Sequence, residues 1–282
     1  DKLIDVYKCI ERLSSEFPIK TLCNVLEVSR SSYYEWKRGN SYKSKPEVVS
    51  VQNKVIHEFW EHKRRYGAKR ITASLHRKGI RISLYKSRII MQENNLKAIQ
   101  PRSFVPKTTN SRHRYAKSPN LLKDRAMPVK MNEVWVGDIT YIPLKGGKFC
   151  YLAVWLDLYS RRIIGWTLST HMREEIVITA FEKAVRLRNK IPAGLIVHSD
   201  RGGQYAGNGF RSLLNKKQVS QSMSDPDNPY DNAFMESCFS RFKAELMQEN
   251  KCFESVEDAQ TQIREYIDQY YNVIRLHSSL DY

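Results

Sequence analysis

The fold is decided by one stretch, Trp135-Val136-Gly137-Asp138-Ile139-Thr140-Tyr141, which places an acid among apolar and β-branched residues. Such a run indicates a β-strand, which we expect to span residues 133–142. A carboxylate inside a buried strand costs free energy unless it is paired or holds a metal ion. Asp138 is therefore the first candidate for a functional residue, and the alternative is that it pairs with a buried arginine.

The segments that follow predict an α/β domain over residues 131–282. Strands are expected at 149–157 and 162–168, and turns at Gly146-Gly147 and Ser160 would make the first three strands an antiparallel meander. Further elements are expected as a helix at 174–189, a strand at 195–198, a helix at 206–217, a strand at 219–223, and helices at 231–247 and 255–271. This order is typical of a ribonuclease-H-like fold, a mixed five-stranded sheet with flanking helices. Such a fold does not by itself define a function.

Two further acids are expected to meet Asp138. Asp200 ends the fourth strand, at a carboxyl end where α/β sheets bind ligands, and two glycines follow it. Glu236 lies in the helix expected from residue 231, with 35 residues between it and Asp200. Singly, Asp200 could be a turn residue and Glu236 a surface helix residue. Taken together, their placements favour one shared site.

Three carboxylates so arranged suit attack on a phosphodiester. The reaction needs an activated oxygen nucleophile and a stabilised leaving oxygen, which two Mg²⁺ (or Mn²⁺) ions held by carboxylates can provide. Hard oxygen ligands suit these ions. We expect Asp138 to be shared by both ions, Asp200 to hold one and Glu236 to hold the other.

Two more charged residues belong near this site. Lys243 lies seven residues after Glu236 on the same helix face, so it can reach the same phosphate; the alternative is an ordinary exposed lysine. Asp157 competes with the three acids as a ligand. We interpret it as structural, paired with Arg161 or Arg162 at the end of its strand.

Charge is unevenly distributed along the chain, whose net charge is +17. Residues 1–130 hold 29 Lys and Arg against 11 Asp and Glu, while residues 131–282 hold 18 against 19. A basic half beside a neutral one is typical of a nucleic-acid-binding arm, and a ribosomal-type basic protein is the alternative. No apolar run reaches about 18 residues, so no membrane-spanning helix is expected. Five widely spaced cysteines argue against a disulfide framework or a zinc site, and we expect a cytoplasmic protein.

The basic half is predicted to be helical. Residues 1–40 show the helix-turn-helix pattern, although they could be a helical bundle with an aromatic core, and residues 45–100 repeat it as a second three-helix DNA-binding unit. Residues 101–130 hold four of the ten prolines and eight Lys and Arg, and they predict an extended basic linker. The residues expected to contact double-stranded DNA are Arg30, Ser31, Ser32, Arg64, Arg65, Lys69, Arg70, Lys86, Arg88, Arg112, Arg114 and Lys243.

A set of motifs makes the chain similar to a known family. The motifs are Trp135-x-x-Asp138-Ile-Thr-Tyr, Tyr151-Leu-Ala-Val, Asp157-Leu-Tyr-Ser-Arg, Ile164-Gly-Trp, His198-Ser-Asp-Arg-Gly-x-Gln-Tyr, Ser222-Met-Ser, Asn228-Pro-Tyr-Asp-Asn-Ala-x-x-Glu236-Ser and Tyr271-Asn-x-x-Arg275-x-His277-x-x-Leu280. Together they resemble the integrase-core transposases of bacterial insertion sequences, specifically the insertion-sequence-three family. The resemblance extends to residues 20–36 and 45–100, and so to nearly the whole chain.

This resemblance implies a DDE triad at Asp138, Asp200 and Glu236, with Lys243 as the basic residue downstream. It implies recognition of terminal inverted repeats and of target DNA by a homodimer or higher oligomer. It also implies copy-out, paste-in transposition through a branched figure-eight and a circle. The chain resembles the downstream reading-frame product, which the family often joins by frameshifting to an upstream product. Asp227 stands where the family usually has Gly, and the family normally continues beyond Tyr282.

Three alternatives share these features. The first is a DNA-binding regulator whose catalytic domain has decayed, and the second is a ribonuclease-H-type nuclease without transposition. The third is an integrase of another mobile element, with the same chemistry and different DNA ends. Selective action on a repeated DNA end separates a transposase from a regulator and from a nuclease better than salt dependence does, since any of these proteins binds DNA electrostatically.

Overall fold

The first three helices form a small unit of their own. The computed structural model describes residues 2–39, 46–101, 115–225, 233–247 and 252–282. Helices α1 (Lys2–Leu13), α2 (Ile19–Val25) and α3 (Arg30–Lys37) enclose a core that includes Tyr7 and Tyr33. Tyr33 and Trp36 therefore pack as the helical-bundle interpretation required, whereas Tyr34 is exposed. Ser29 precedes α3 as expected, but its side chain makes no capping hydrogen bond.

A second helical unit follows, made of α4 (Pro46–Glu61), α5 (Ala68–Arg77) and α6 (Leu84–Glu93). Its boundaries have local causes. Gly79 has φ 76°, the left-handed conformation that ends a helix, and the Ser83 hydroxyl accepts a 3.1 Å bond from the Lys86 amide at the start of α6. The buried residues of this unit are continuous with the core of the C-terminal region. The unit is therefore packed against that region.

A five-stranded sheet dominates the C-terminal region. Its strands are β1 (Val134–Pro143), β2 (Phe149–Asp157), β3 (Ile163–Ser169), β4 (Ile196–Ser199) and β5 (Ser220–Met223). They lie in the order β3-β2-β1-β4-β5, with β1–β2 and β2–β3 antiparallel and with β1–β4 and β4–β5 parallel. This mixed sheet confirms the ribonuclease-H-like fold.

Helices cover both faces of the sheet. Helices α7 (Glu175–Arg188), α8 (Gly203–Ala206) and α9 (Asn208–Lys216) contribute to a core around Trp135 and Trp155. Close packing of α7 on β3 depends on Gly165, because an added Cβ would lie 2.7 Å from the Ala184 backbone nitrogen. Helices α10 (Ala233–Leu246) and α11 (Val256–Arg264) contribute to the other core. The helix expected over 255–271 changes its winding, and residues Glu265–Tyr271 form a π-helix.

The described part of the basic linker lies along the sheet edge. The Ser118 hydroxyl donates a 2.8 Å bond to the Gln221 side chain, and the Leu121 amide donates a 2.8 Å bond to the Ser222 hydroxyl. Residues 102–114 lie outside the described residues. The segment around 118–121 thus covers β5, the edge strand, where unpaired backbone groups would otherwise be available to another chain. No described helix is both long and apolar enough to cross a lipid bilayer.

Candidate active site

Two of the candidate carboxylates lie at neighbouring positions of adjacent strands. Strands β1 and β4 run parallel with Gly137 opposite Ser199, so Asp138 and Asp200 each come one residue further along. Both residues are partly buried. The Asp138 carboxylate accepts a 2.7 Å bond from the Ile139 amide, and the Asp200 carboxylate accepts a 3.0 Å bond from the Gly202 amide. The register of the sheet therefore places the two acids side by side.

Helix α10 brings the third carboxylate to the same place. It packs against β1 and carries the exposed Glu236 in its first turn and the partly buried Lys243 two turns later. Burial lowers the pKa of Lys243, and the charge of Asp138 opposes this shift. The ammonium group of Lys243 therefore lies close enough to feel the Asp138 carboxylate.

The charges of Asp200, Glu236 and Lys243 all affect Asp138. Burial raises the pKa of Asp138 well above its usual value, and the negative charges of Asp200 and Glu236 raise it further. The Ile139 amide and the Lys243 charge act in the opposite direction. Three carboxylates that repel one another form a donor set that suits a divalent cation.

A buried aromatic residue, Tyr205, lies near the carboxylate pair. Tyr205 is fully buried, with its ring 5.7 Å from that of Trp155. Burial raises the pKa of the Tyr205 phenol well above its usual value, as do the charges of Asp138 and Asp200. Sequence reasoning assigned no role to Tyr205, although the motif that contains Asp200 ends on it. Its proximity to both acids makes it part of the support of the site.

A buried histidine fixes the loop that follows Asp200. The His198 ring lies 2.8 Å from the Ser222 hydroxyl through Nδ1 and 3.3 Å from the Ser224 hydroxyl through Nε2. The Arg201 Nε donates a 2.5 Å bond to the Ser224 carbonyl. The His198-Ser-Asp-Arg and Ser222-Met-Ser motifs therefore meet in space. Sequence reasoning quoted both motifs without seeing that they bond to each other.

Asp157 has a structural role, but its partners differ from those expected. Its fully buried carboxylate accepts bonds from the Asn132 amide at 2.7 Å and from the Ser160 amide at 2.8 Å. The cation that pairs with it is Arg188, at 3.6 Å, rather than Arg161 or Arg162. Arg188 comes from α7, which packs over the sheet. The expected partner was wrong because proximity in sequence favoured the adjacent arginines.

Arg161 contacts α10 instead. Its guanidinium group lies over the Phe234 ring, 4.8 Å from the ring centroid. Phe234 is in the first turn of α10, two residues before Glu236. The cation–π contact therefore supports the end of α10 that carries the third carboxylate.

The residues expected to contact DNA fall into different environments. Those that are exposed are Arg30, Ser31, Ser32, Arg64, Lys69, Lys86 and Arg88. Arg65 and Arg70 are only partly exposed, and their guanidinium groups contact Tyr270 and Glu245, respectively. Contact of these two residues with phosphate stays a prediction. Arg112, Arg114 and Asp227 lie outside the described residues.

A second group of possible metal ligands is already neutralised. His57, Glu58 and Glu61 on α4 place their ligand atoms within 4.8 Å of one another. The Lys78 ammonium lies 2.6 Å from the Glu58 carboxylate and 3.0 Å from that of Glu61. This lysine supplies the positive charge that a metal ion would supply. The cluster is therefore an ion-pair network that joins α4 to the end of α5.

The other end of α10 is fixed by a buried acid. Glu245 accepts a 2.8 Å bond from the Tyr266 hydroxyl and bonds from Arg275 at 3.1 to 3.3 Å. Glu245 and Arg275 are both buried. A paired and hydrogen-bonded carboxylate of this kind fixes the geometry of the groups around it. Because Arg275 belongs to the C-terminal motif, that motif holds the end of α10.

His277, which lies beside Arg275, makes the free energy of unfolding depend on pH. Burial lowers the pKa of His277 to about 4, and the charge of Arg275 acts in the same direction. Arg275 donates a 3.3 Å bond to His277 Nδ1, which requires that nitrogen to be unprotonated. The unfolded chain takes up this proton near pH 6.5, the ordinary pKa of histidine, before the folded chain does. We therefore expect the free energy of unfolding to fall as the pH drops from about 6.5 to about 4.

The test of this pH dependence compares His277→Gln with the wild type by urea unfolding at several pH values. The introduced glutamine amide can still accept a bond from Arg275 but does not titrate. The free energy of unfolding of the variant should therefore fall less steeply with decreasing pH, by at most the slope that one proton contributes. The exposed His171→Gln serves as control and should follow the wild type. Equal slopes for His277→Gln and the wild type would refute the assignment.

Comparisons with known proteins agree with this fold. Integrase core domain models match residues 128–229 and 217–282, and an HTH-like domain model matches residues 51–104. The transposase for insertion sequence element IS904 of Lactococcus lactis is 39% identical over 246 residues, which cover 87% of this chain and 95% of the relative. Transposase InsF for insertion sequence IS3A of Escherichia coli is 35% identical over 274 residues, 96% of this chain and 94% of the relative.

Two solved structures are also similar at low identity. A simian T-cell lymphotropic virus intasome in complex with PP2A regulatory subunit B56 gamma gives a TM-score of 0.43 at 15% identity, covering 75% of this chain and 70% of that one. The HTLV-2 integrase catalytic core domain in complex with magnesium, in its dimeric form, gives a TM-score of 0.36 at 16% identity. The match covers 54% of this chain and 92% of that one.

The integrase core and its transposase relatives define the chain as a polynucleotidyl transferase with an integrase core and an HTH-like region that implies DNA binding. Identity of 35 to 39% extends over almost the whole length of the relatives. The chain belongs to the insertion-sequence-three (IS3) family of transposases.

Proposed function

We propose that this chain cleaves DNA and transfers strands at the terminal inverted repeats of its own insertion sequence, by the copy-out, paste-in pathway. The observation that carries the proposal is the meeting of Asp138, Asp200 and Glu236 beside Lys243, in a chain whose other half is basic. The family gives the class of reaction, and the cluster indicates which residues perform it.

The proposed metal ligands are the three carboxylates. Asp138 is affected by the charges of both other acids. It would contact both of two Mg²⁺ (or Mn²⁺) ions, while Asp200 would hold one and Glu236 the other. When bound, such ions activate an oxygen nucleophile and stabilise the leaving oxygen at phosphorus. The donor set fits because all three groups are carboxylates and their mutual repulsion needs positive charge nearby.

The chain's own residues would orient the DNA around this cluster. Lys243 lies beside Asp138, where its ammonium can bind a phosphate oxygen of the strand being joined. In the joining step a 3′ hydroxyl oxygen attacks phosphorus in the target strand and forms a new phosphorus–oxygen bond. The bond from that phosphorus to the target strand's own 3′ oxygen breaks. The attacking hydroxyl loses its proton, and the departing 3′ oxygen takes up a proton. No covalent link between protein and DNA is required.

Recognition of the DNA ends is proposed for the helical units. The exposed Arg30 of α3 and the exposed Lys86 and Arg88 of α6 can reach phosphates or base edges of double-stranded DNA. The two DNA ends of the element must be brought to paired active sites to be joined. We therefore propose a homodimer or higher oligomer on DNA.

The test is the sequence selectivity of joining. A labelled duplex that carries the terminal repeat flanking this gene is compared with a duplex of the same length and composition in shuffled order, both with Mg²⁺. A transposase should join the 3′ end of the repeat to a second DNA and leave the shuffled duplex unjoined. Cleavage of both duplexes alike would show a nuclease, and selective binding with no joining would show a regulator.

A further inference from the structure

The basic run at residues 63–70 has an inward face. Arg65 lies over the Tyr270 ring, 4.3 Å from its centroid, and its Nε donates a 3.2 Å bond to the Glu245 backbone carbonyl. Arg70 points the same way, with its guanidinium 3.7 Å from the Glu245 carboxylate and its side chain 14% exposed. Two cations of the second helical unit thus contact one residue of the catalytic helix.

Tyr66 attaches the same run to the C-terminal motif. Its fully buried hydroxyl donates a 3.1 Å bond to the Ile274 carbonyl and accepts a 2.9 Å bond from the Leu276 amide. These two groups flank Arg275, whose guanidinium holds Glu245. Tyr66 therefore binds the backbone on both sides of Arg275, which pairs with Glu245.

Glu245 lies on the helix that carries Glu236. Glu245 comes nine positions after Glu236 along α10, a rise of about 13.5 Å in a continuous helix. Over this length a helix moves as a rigid body, so a shift at Glu245 is transmitted to Glu236. The contacts of Glu245 consequently help to set the distance between Glu236 and the two aspartates on the sheet.

The outward face of the same run is available to DNA. Arg64 and Lys69 are exposed, while Arg65, Tyr66 and Arg70 are turned towards the catalytic region. Because α5 begins at Ala68, Lys69 and Arg70 are adjacent in its first turn. Phosphates that hold Lys69 therefore also fix the position of Arg70.

We infer that Arg70 is a positioning residue which, through Glu245 and Arg275, couples DNA binding by the second helical unit to the placement of Glu236. This rests on the proposed role of Glu236 as a metal ligand. Arg65 and Tyr66 hold the two regions together, while Arg70 supplies the charge that the DNA-bound unit presents to Glu245. The Arg275–Glu245 pair remains when Arg70 is removed, so the fold should survive the change.

The experiment uses the full chain with Arg70→Met, Arg70→Lys and the exposed Lys97→Met as a charge-matched control. Three quantities are measured: the dissociation constant for duplex DNA carrying the terminal repeat, the joining rate at saturating DNA, and hydrogen exchange of the α10 amides with and without that DNA. Arg70→Met should lower the joining rate about tenfold while the dissociation constant stays within about twofold, a coupling of the usual size. DNA should slow α10 exchange in the wild type and in Lys97→Met, but not in Arg70→Met.

Arg70→Lys should recover both the joining rate and the exchange response, because it keeps the charge. The inference is overturned if Arg70→Met joins DNA at the wild-type rate once DNA is saturating, or if DNA slows α10 exchange equally in Arg70→Met and the wild type. Failure of the proposed function looks different: no variant joins DNA, while the exchange response still depends on the charge at residue 70.

Discussion

Asp138→Asn should abolish strand joining, with a loss of at least about 10³-fold, which corresponds to about 4 kcal/mol of transition-state stabilisation. The substitution keeps the size of the side chain but removes the charge that the bound ions need. Binding to DNA that carries the terminal repeat should persist, because the helical units that are proposed to bind it remain intact.

The same variant should not lose stability in the absence of metal. In the wild type, burial and the charges of Asp200 and Glu236 disfavour the ionised Asp138, and an amide escapes both effects. Its thermal unfolding midpoint should therefore equal or exceed that of the wild type, and added Mg²⁺ should raise the midpoint of the wild type more. The exposed Asp268→Asn is the matched control and should keep full activity. Full joining activity in Asp138→Asn would remove Asp138 from the catalytic site.

Arg275→Met should lower the free energy of unfolding by about 3 to 5 kcal/mol. The variant leaves Glu245 buried with its main cationic partner gone, since Arg70 is more distant, at 3.7 Å against 3.1 Å. A buried carboxylate without its pair costs more than the lost hydrogen bonds alone. Urea unfolding measures the effect directly.

Two further variants separate the loss of pairing from the loss of charge. Arg264→Met removes an exposed arginine from α11 and should change stability by less than about 0.5 kcal/mol. The double variant Glu245→Leu/Arg275→Met removes both charges and should recover part of the loss, because apolar pairs can replace buried ion pairs. If Arg275→Met were as stable as the wild type, the Glu245–Arg275 pair would not be what stabilises the end of α10.

Local patterns in the sequence were sufficient for the sheet. The strand expected at 133–142 is observed at Val134–Pro143, and the strand expected at 149–157 is observed at Phe149–Asp157. Strands of this kind are indicated by alternating or continuous apolar runs that are bounded by glycine turns. These patterns involve only residues that are close in sequence, so they predict the strands without a structure. The positions of Asp138 in a central strand and of Asp200 at a strand end followed from the same reading.

Partners that are distant in sequence could not be predicted. Arg70 and Glu245 are 175 positions apart, and no periodicity within either helix indicates that they meet. A basic run predicts a phosphate-binding face. The sequence does not show which side chains of the run are covered by another part of the chain. The same reason explains why Arg188 was missed as the partner of Asp157, and why the packing of the segment around residue 120 on β5 was not predicted.

We propose that Asp138, Asp200 and Glu236 together perform metal-dependent strand transfer. The joining assay incubates labelled terminal-repeat DNA and target DNA with the wild type and with Asp138→Asn, Asp200→Asn and Glu236→Gln, each with Mg²⁺ and with EDTA. We expect joined product for the wild type with Mg²⁺ only, and none for the three variants or with EDTA. Joined product from any of these variants, or from the wild type in EDTA, would show that the three carboxylates are not the metal-binding catalytic residues.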